Sequence, residues 1–382
     1  MPGVLALRHN KAMALEFAAR ISRIPIYPAA ESYGREDLVL LASNESPYPP
    51  LPAVIEAIQA AAPALNRYPD PTNSALRRRL AERHEVPPER IAIGNGSCDI
   101  LLAAGEALLE EGAELIYAWP SFSVYPHLAA ASGARAVTVP LDDQERHDLP
   151  AMAREITVAT RLILICNPNN PTSTALPLTA IEEFLEQVPD HVCVILDEAY
   201  CEFNLLDDAS ASVALLAKHS NLVLLRTFSK AYSLCGARVG YALCGSERLV
   251  AALNQVRQPF FCNLLAQSAA SAALEHGDEI EQRVAMTVAE RISMGERLAA
   301  LGLQVSDSQA NFCWVSSDLL REHEREVLER LRERGFIVRA GSALGSPGHL
   351  RISYGTSEQD ERFLVALADV LEQLPAGERL AR

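Results

Sequence analysis

Between Ile91 and Cys244 the chain repeats one pattern. A short run of uninterrupted apolar residues is followed by a polar cluster and then by a stretch of helical periodicity. The runs are IAIG, ELIYAW, RAVTVPL, RLILIC, CVILD, NLVLLRTF and VGYALC. A strand that is apolar at every position has no solvent face, so both of its sides must be covered. Such strands alternating with helices predict an α/β fold with a mostly parallel sheet between helical layers. After about Phe260 the pattern changes to amphipathic helices interspersed with short strands, such as NFCWV, FIVRA and HLRISYG, which predicts a smaller α+β domain. A long helix from about Ser246 is expected to join the two. The domain limits drawn from this are an N-terminal arm over 1–42 packed with the small domain, a large domain over 43–262 and a small domain over 263–382.

Composition narrows the partners. The chain has 382 residues, 49% hydrophobic and 22% charged, enough to build a sizeable core in two domains. Asp and Glu number 49 against 34 Lys and Arg, a net charge of −15. That balance argues against nucleic acid and anionic membranes as partners. No apolar run reaches membrane-spanning length, and the opening segment is broken by Arg8, His9, Lys11 and Glu16, so a cytoplasmic protein is expected. The eight cysteines form no CxxC pair and several lie inside apolar runs, which reads as buried free thiols with no zinc site.

Ligands of open α/β sheets bind beyond the carboxyl ends of the strands, and four polar clusters end strands here: GNGSCD, CNPNNPTS, LDEAY and TFSK. Lys230, in the last of these, is one of only three lysines in a chain that otherwise uses arginine. An amine can lose its proton and attack a carbonyl, which a guanidinium cannot. Gly94 and Gly96 before a helix starting near Ser97 would aim free N–H groups at an anion, although an ordinary strand-to-helix turn is equally common. Thr227, Ser229 and Arg238 around Lys230 would make a phosphate cup. Asp197 would pair with a cationic ring nitrogen or, more blandly, an arginine or a helix cap. Tyr200, one turn on, would reach a phenolic oxygen or pack in the core. Asn169 and Asn170, set between Pro168 and Pro171, offer an amide donor at a strand end. Phe122 would stack on a planar group or be a half-buried aromatic. Arg351 and Arg339, inside apolar strands, need anionic partners, either structural carboxylates or a substrate.

Taken together, LASNESPYPP, NRYPDP, GNGS, PSFSVYP, CNPNNPT, DEAYCEF, LRTFSKAYSLCGARVGY, SQANFCWV and LRISYGT, in that order along most of the chain, resemble the histidinol-phosphate aminotransferase family of fold-type-I pyridoxal-phosphate enzymes. Aromatic, especially phenylalanine, aminotransferases are close relatives. The resemblance implies a seven-stranded, mostly parallel sheet and pyridoxal 5′-phosphate as cofactor. It implies that Lys230 holds the cofactor covalently and then moves the substrate proton. Asp197 would pair with the ring nitrogen, Asn170 and Tyr200 with the ring hydroxyl, and Phe122 would stack on the ring. Ser97, Cys98, Thr227, Ser229 and Arg238 would hold the phosphate. Tyr68 would reach the neighbouring subunit's phosphate in a homodimer. Tyr27, Asn44, Arg339 and Arg351 would face the amino donor and 2-oxo acid.

Four positions depart from the family pattern: Ser173 stands where glycine is typical, Ser233 and Cys235 replace small residues, and Cys98 stands where an acidic residue is common. If the turn at Ser173 needs positive φ, the serine costs about 1 kcal/mol or more. The leading expectation is transamination between histidinol phosphate and 2-oxoglutarate. The alternative is an aromatic amino acid aminotransferase, and a phosphothreonine decarboxylase is a more distant reading. A regulator with an aminotransferase-like sensor would need a basic module ahead of the match, where only a short arm stands.

Overall fold

The computed structural model describes residues 16–26 and 37–375. After strand β1 (Val39–Leu40) come helices α1 (Pro52–Ala61) and α2 (Ser74–His84), strand β2 (Ile91–Gly94) and helix α3 (Ser97–Leu108). Alternation then sets in with β3 (Glu114–Trp119), α4 (Tyr125–Ser132), β4 (Arg135–Pro140), α5 (Leu149–Arg154), β5 (Thr160–Cys166), α6 (Leu178–Leu185) and β6 (Cys193–Asp197). Strands β7 (Leu222–Thr227) and β8 (Gly240–Cys244) precede α7 (Glu247–Gln255), α8 (Leu264–Glu275) and α9 (Gly277–Ala300). The rest comprises β9 (Gln304–Val305), β10 (Phe312–Ser316), α10 (Asp318–Glu333), β11 (Phe336–Ile337), β12 (Arg339–Ala340), β13 (His349–Ser353) and α11 (Ser357–Glu372).

Seven strands form the main sheet in the order β2-β8-β7-β6-β5-β3-β4. All pairings are parallel except those of β8, which is antiparallel to both neighbours. Two reversals leave β2 running in the same direction as β7, so the GNGS turn lies at the same edge as the ends of β6 and β7. The uninterrupted apolar runs are explained by the two cores they serve. Ile163, Ile165, Val194, Leu196 and Leu224 face one side with α2, α6 and α8. Their chain neighbours Leu162, Leu164, Ile195, Val223 and Leu225 face the other with α3, α4 and α7. The smaller antiparallel sheet, β12-β13-β10-β9, shares a third core with α9, α10 and α11.

Three details differ from the sequence expectation. No single long helix starts near Ser246. Helix α7 stops at Gln255, and the chain crosses Pro259 before Asn263 caps α8 by accepting from the Ala266 N–H at 2.8 Å. A proline ring fixes φ and removes a donor, so a helix cannot run through this segment undisturbed. Helix α8 follows the boundary drawn at 262, yet Ala266, Ala269, Ala270 and Ala273 pack with the main sheet, and α8 lies on α1 and α2. The arm divides. Val39 and Leu40 pair with β11 and Leu41 joins the small-domain core, whereas residues 19–22 lie against α4 of the main sheet.

Candidate active site

Strand ends bring the chemistry together. Asp197 ends β6 opposite Cys166 on one side and Leu225 on the other, and Thr227 ends β7 opposite Gly240, which in turn faces Gly94. Thirteen residues singled out in the sequence line one cavity of about 600 Å³: Asn44, Ser97, Cys98, Phe122, Asn170, Asp197, Tyr200, Thr227, Ser229, Lys230, Arg238, Arg339 and Arg351. Tyr68 is not among them. It is 80% exposed and stacks on Phe260 with ring centroids 4.4 Å apart. Tyr27 lies outside the described residues.

Lys230 lies just beyond the end of β7, after Phe228 and Ser229. Its Nζ donates to the carbonyl oxygens of Asn44 at 2.9 Å and Ser43 at 3.1 Å, and stands 5.7 Å from the centre of the Tyr200 ring. Burial, aided by the Arg351 guanidinium, lowers its pKa to about 8. Asp197 is buried, with one oxygen accepting from the Tyr125 hydroxyl at 2.9 Å and the other from the Ala199 N–H at 3.2 Å. Burial raises its pKa to about 6, against the opposing pull of those hydrogen bonds.

A relay of amides links the arm, the main sheet and the small domain. The Tyr200 hydroxyl accepts from Asn44 Nδ2 at 3.0 Å and from Asn170 Nδ2 at 3.3 Å. Asn170 Oδ1 accepts from Arg351 Nη1 at 2.6 Å, and Arg351 Nη2 donates to the Ala42 carbonyl at 2.5 Å. Arg339 stands opposite Arg351 across the β12–β13 pair, so both side chains belong to one face of the small sheet. Tyr200 follows a tight non-helical turn, with φ −124°.

At the other end of the cavity, Gly96 at φ +81° precedes α3 and offers no side chain to cap it. A Cβ at Gly96 would lie 2.6 Å from Arg238 Nη2, and one at Gly240 would lie 2.5 Å from the Ser97 nitrogen. These close approaches seat the guanidinium beside the helix N-terminus. Thr227 and Ser229 complete the cup, their hydroxyls 2.9 Å apart. Ser173 and Ser233 hold φ of +62° and +58°, so both turns keep the left-handed backbone that favours glycine. Each serine gains a bond from its hydroxyl, Ser173 with Ser306 at 2.9 Å and Ser233 with Ser46 at 2.8 Å.

Sequence reasoning missed Tyr125, whose position in PSFSVYP reads as helix packing, and the Ser43 and Ala42 carbonyls, because backbone acceptors carry no side-chain signal.

The residues fit pyridoxal 5′-phosphate. A buried carboxylate with no cationic partner among the described residues suits a ring N–H⁺, a lysine of lowered pKa suits an aldehyde, and an uncapped helix start with an arginine and two hydroxyls suits a phosphate. Fold and site thus define the class, a fold-type-I pyridoxal-phosphate enzyme. Residues 36–367 match the pattern of the aminotransferase class I and II family, and the chain belongs to it. It is 40% identical over 349 residues to an aromatic amino acid aminotransferase of Cutibacterium acnes, covering 91% of this chain and 97% of the relative. It is also 40% identical over 348 residues to a histidinol-phosphate aminotransferase of Moorella thermoacetica, covering 91% of this chain and 89% of that one. Other relatives at 40–44% identity carry the aromatic name. Among solved structures, histidinol-phosphate aminotransferase from Sinorhizobium meliloti in complex with pyridoxal-5′-phosphate superposes with a TM-score of 0.86 at 29% identity, covering 94% of this chain and 98% of that one. The protein is a pyridoxal-phosphate-dependent aminotransferase.

Proposed function

We propose that this aminotransferase takes aromatic amino acids as donors, in preference to the histidinol phosphate that the sequence resemblance put first. The observation that carries this is a cavity in which Arg351 shares the walls with Leu344, Val124 and Phe122, a cation for a carboxylate beside apolar surface for a ring. The names of the relatives lean the same way.

Pyridoxal 5′-phosphate, when bound, supplies an aldehyde and an electron-withdrawing ring. The chain supplies the rest. Ser97 and Cys98 N–H groups, with Thr227, Ser229 and Arg238, hold the phosphate. Asp197, oriented by Tyr125 and Ala199, holds the ring N–H⁺, and Phe122 covers the ring. Tyr200 and Asn170 position the ring oxygen. Arg351 binds the substrate carboxylate, and Arg339 and Asn44 line the same side. Lys230 Nζ, neutral for an appreciable fraction of the time with a pKa of about 8, is the base that would take the proton from the substrate Cα. The exposed Tyr68–Phe260 stack serves the second subunit of a homodimer, Tyr68 reaching the partner's phosphate.

The test follows the visible absorption of the bound cofactor with one donor at a time. Phenylalanine or tyrosine is expected to discharge it and histidinol phosphate to leave it. The opposite pattern overturns the substrate assignment. Lys230→Ala should lose both the lysine-linked band and turnover, and retention of both would refute the assigned site.

A further inference from the structure

Arg257 stands apart from the cavity, in the segment between α7 and α8. Its side chain is only 2% exposed. Nη1 donates to the carbonyl of Ile93, the residue before the first glycine of the GNGS turn. Its Cζ lies 4.9 Å from the centre of the Phe261 ring. Among the described residues, Nε and Nη2 find no hydrogen-bond partner. Buried donors left unmet are unfavourable, so their retention calls for an explanation.

The facing carboxylate is that of Asp99, in the first turn of α3. Its Oδ2 is 3.7 Å from Arg257 Nε, an ion pair just beyond hydrogen-bond reach. The same oxygen accepts from the Asn95 N–H at 3.1 Å, inside the turn. Asp99 is therefore tied to the loop whose Ser97 and Cys98 line the cavity. It also poses an electrostatic problem. A carboxylate in the first turn favours an empty helix N-terminus but repels a phosphate placed there. Arg238 is already engaged on the other side of the turn, with Nη1 donating to the Cys235 carbonyl at 2.8 Å.

We infer that Arg257 and Asp99 form a positioning pair for the cofactor phosphate: Arg257 neutralises Asp99 and, through Ile93 and Asp99, holds both ends of the turn that presents the Ser97 and Cys98 N–H groups. Neither residue touches the cofactor. The inference rests on the phosphate-cup assignment above.

Two ligands separate a phosphate-specific role from a general structural one. Pyridoxal 5′-phosphate and pyridoxal share the aldehyde and the ring, and only the first carries phosphate. Equilibrium binding of both is measured by fluorescence on the full-length, cofactor-stripped protein. Arg257→Met is expected to weaken pyridoxal 5′-phosphate at least tenfold and pyridoxal less than twofold. Equal weakening of both ligands, or unchanged binding of the phosphorylated one, overturns the inference. Asp99→Glu is the second variant, and it carries the test if Arg257→Met does not fold. One added methylene spans the 3.7 Å gap, so binding of the phosphorylated ligand should tighten severalfold with pyridoxal unchanged. No tightening, or equal tightening of both, counts against the pair. If the wild type binds neither ligand, the cofactor site itself is refuted, a result distinct from failure of the pair.

Discussion

Asp197 shows how far burial alone tunes a single residue. Its pKa of about 6 lies above the ordinary 3.8, so in the cofactor-free protein its ionisation opposes folding. The contribution to stability is complete below about pH 4 and is lost as pH rises through about 6, an effect of about 3 kcal/mol. Asp197→Asn removes the titrating group. The expected result is that cofactor-free wild type loses stability relative to Asp197→Asn between pH 4 and pH 6, measured by urea unfolding. With pyridoxal 5′-phosphate bound, a ring cation favours the ionised carboxylate, and the wild type should become the more stable of the two above pH 6. Lys230 is tuned in the complementary direction by the same low solvation. Both residue types and both strand-end positions were legible in the sequence. The size of the shifts was not, because desolvation depends on what packs around a group.

At the scale of elements, strands β6 and β7 are locked by an ion pair one residue away from the chemistry. Arg226 Nε donates to Glu198 Oε2 at 2.8 Å, with the two side chains 4% and 7% exposed. Arg226 also reaches the Ala209 carbonyl and the Ser212 hydroxyl. Glu198 follows Asp197 and Arg226 precedes Thr227, so this pair fixes the register of two residues that line the cavity. Arg226→Met strands a buried carboxylate and is expected to cost about 3–5 kcal/mol in thermal or denaturant melting. Arg226→Met with Glu198→Met together should recover most of that loss, since an apolar pair needs no counter-ion. The sequence presents Arg226 as one more arginine in an apolar strand. Its partner came from a neighbouring strand, which no local pattern specifies.

Across the whole molecule, the end of the cavity lined by Arg339, Leu344 and Arg351 depends on how the small domain meets the main sheet. Glu145 Oε1 accepts from Trp314 Nε1 at 3.1 Å and lies 3.6 Å from His349 Nε2, while the Trp314 and His349 rings stack at 4.7 Å. Trp314 stands directly opposite Arg351 across β10 and β13. A second tie joins Ser173 to Ser306 and, through its carbonyl, to the Gln309 N–H at 2.7 Å. Glu145→Ala should therefore leave cofactor affinity unchanged and raise KM for donor and acceptor about fivefold, the worth of one hydrogen bond of about 1 kcal/mol. An unchanged KM, or a parallel loss of cofactor binding, would show that this contact does not position Arg351. Among the described residues no helix is long and apolar enough to cross a membrane.

Taken alone, the sequence determined the layered α/β architecture, the strand-end clusters and the rare amine, Lys230, beside one of them. Continuous apolar runs admit few arrangements, and a lone amine in an arginine-rich chain is conspicuous. Tertiary structure alone decided the break after α7, the allegiance of α8, and the ties of Tyr125, Arg257 and Glu145. Those depend on partners tens to hundreds of residues away. The wall shared by Arg351, Leu344 and Val124 belongs with them, because it exists only once the two domains have met.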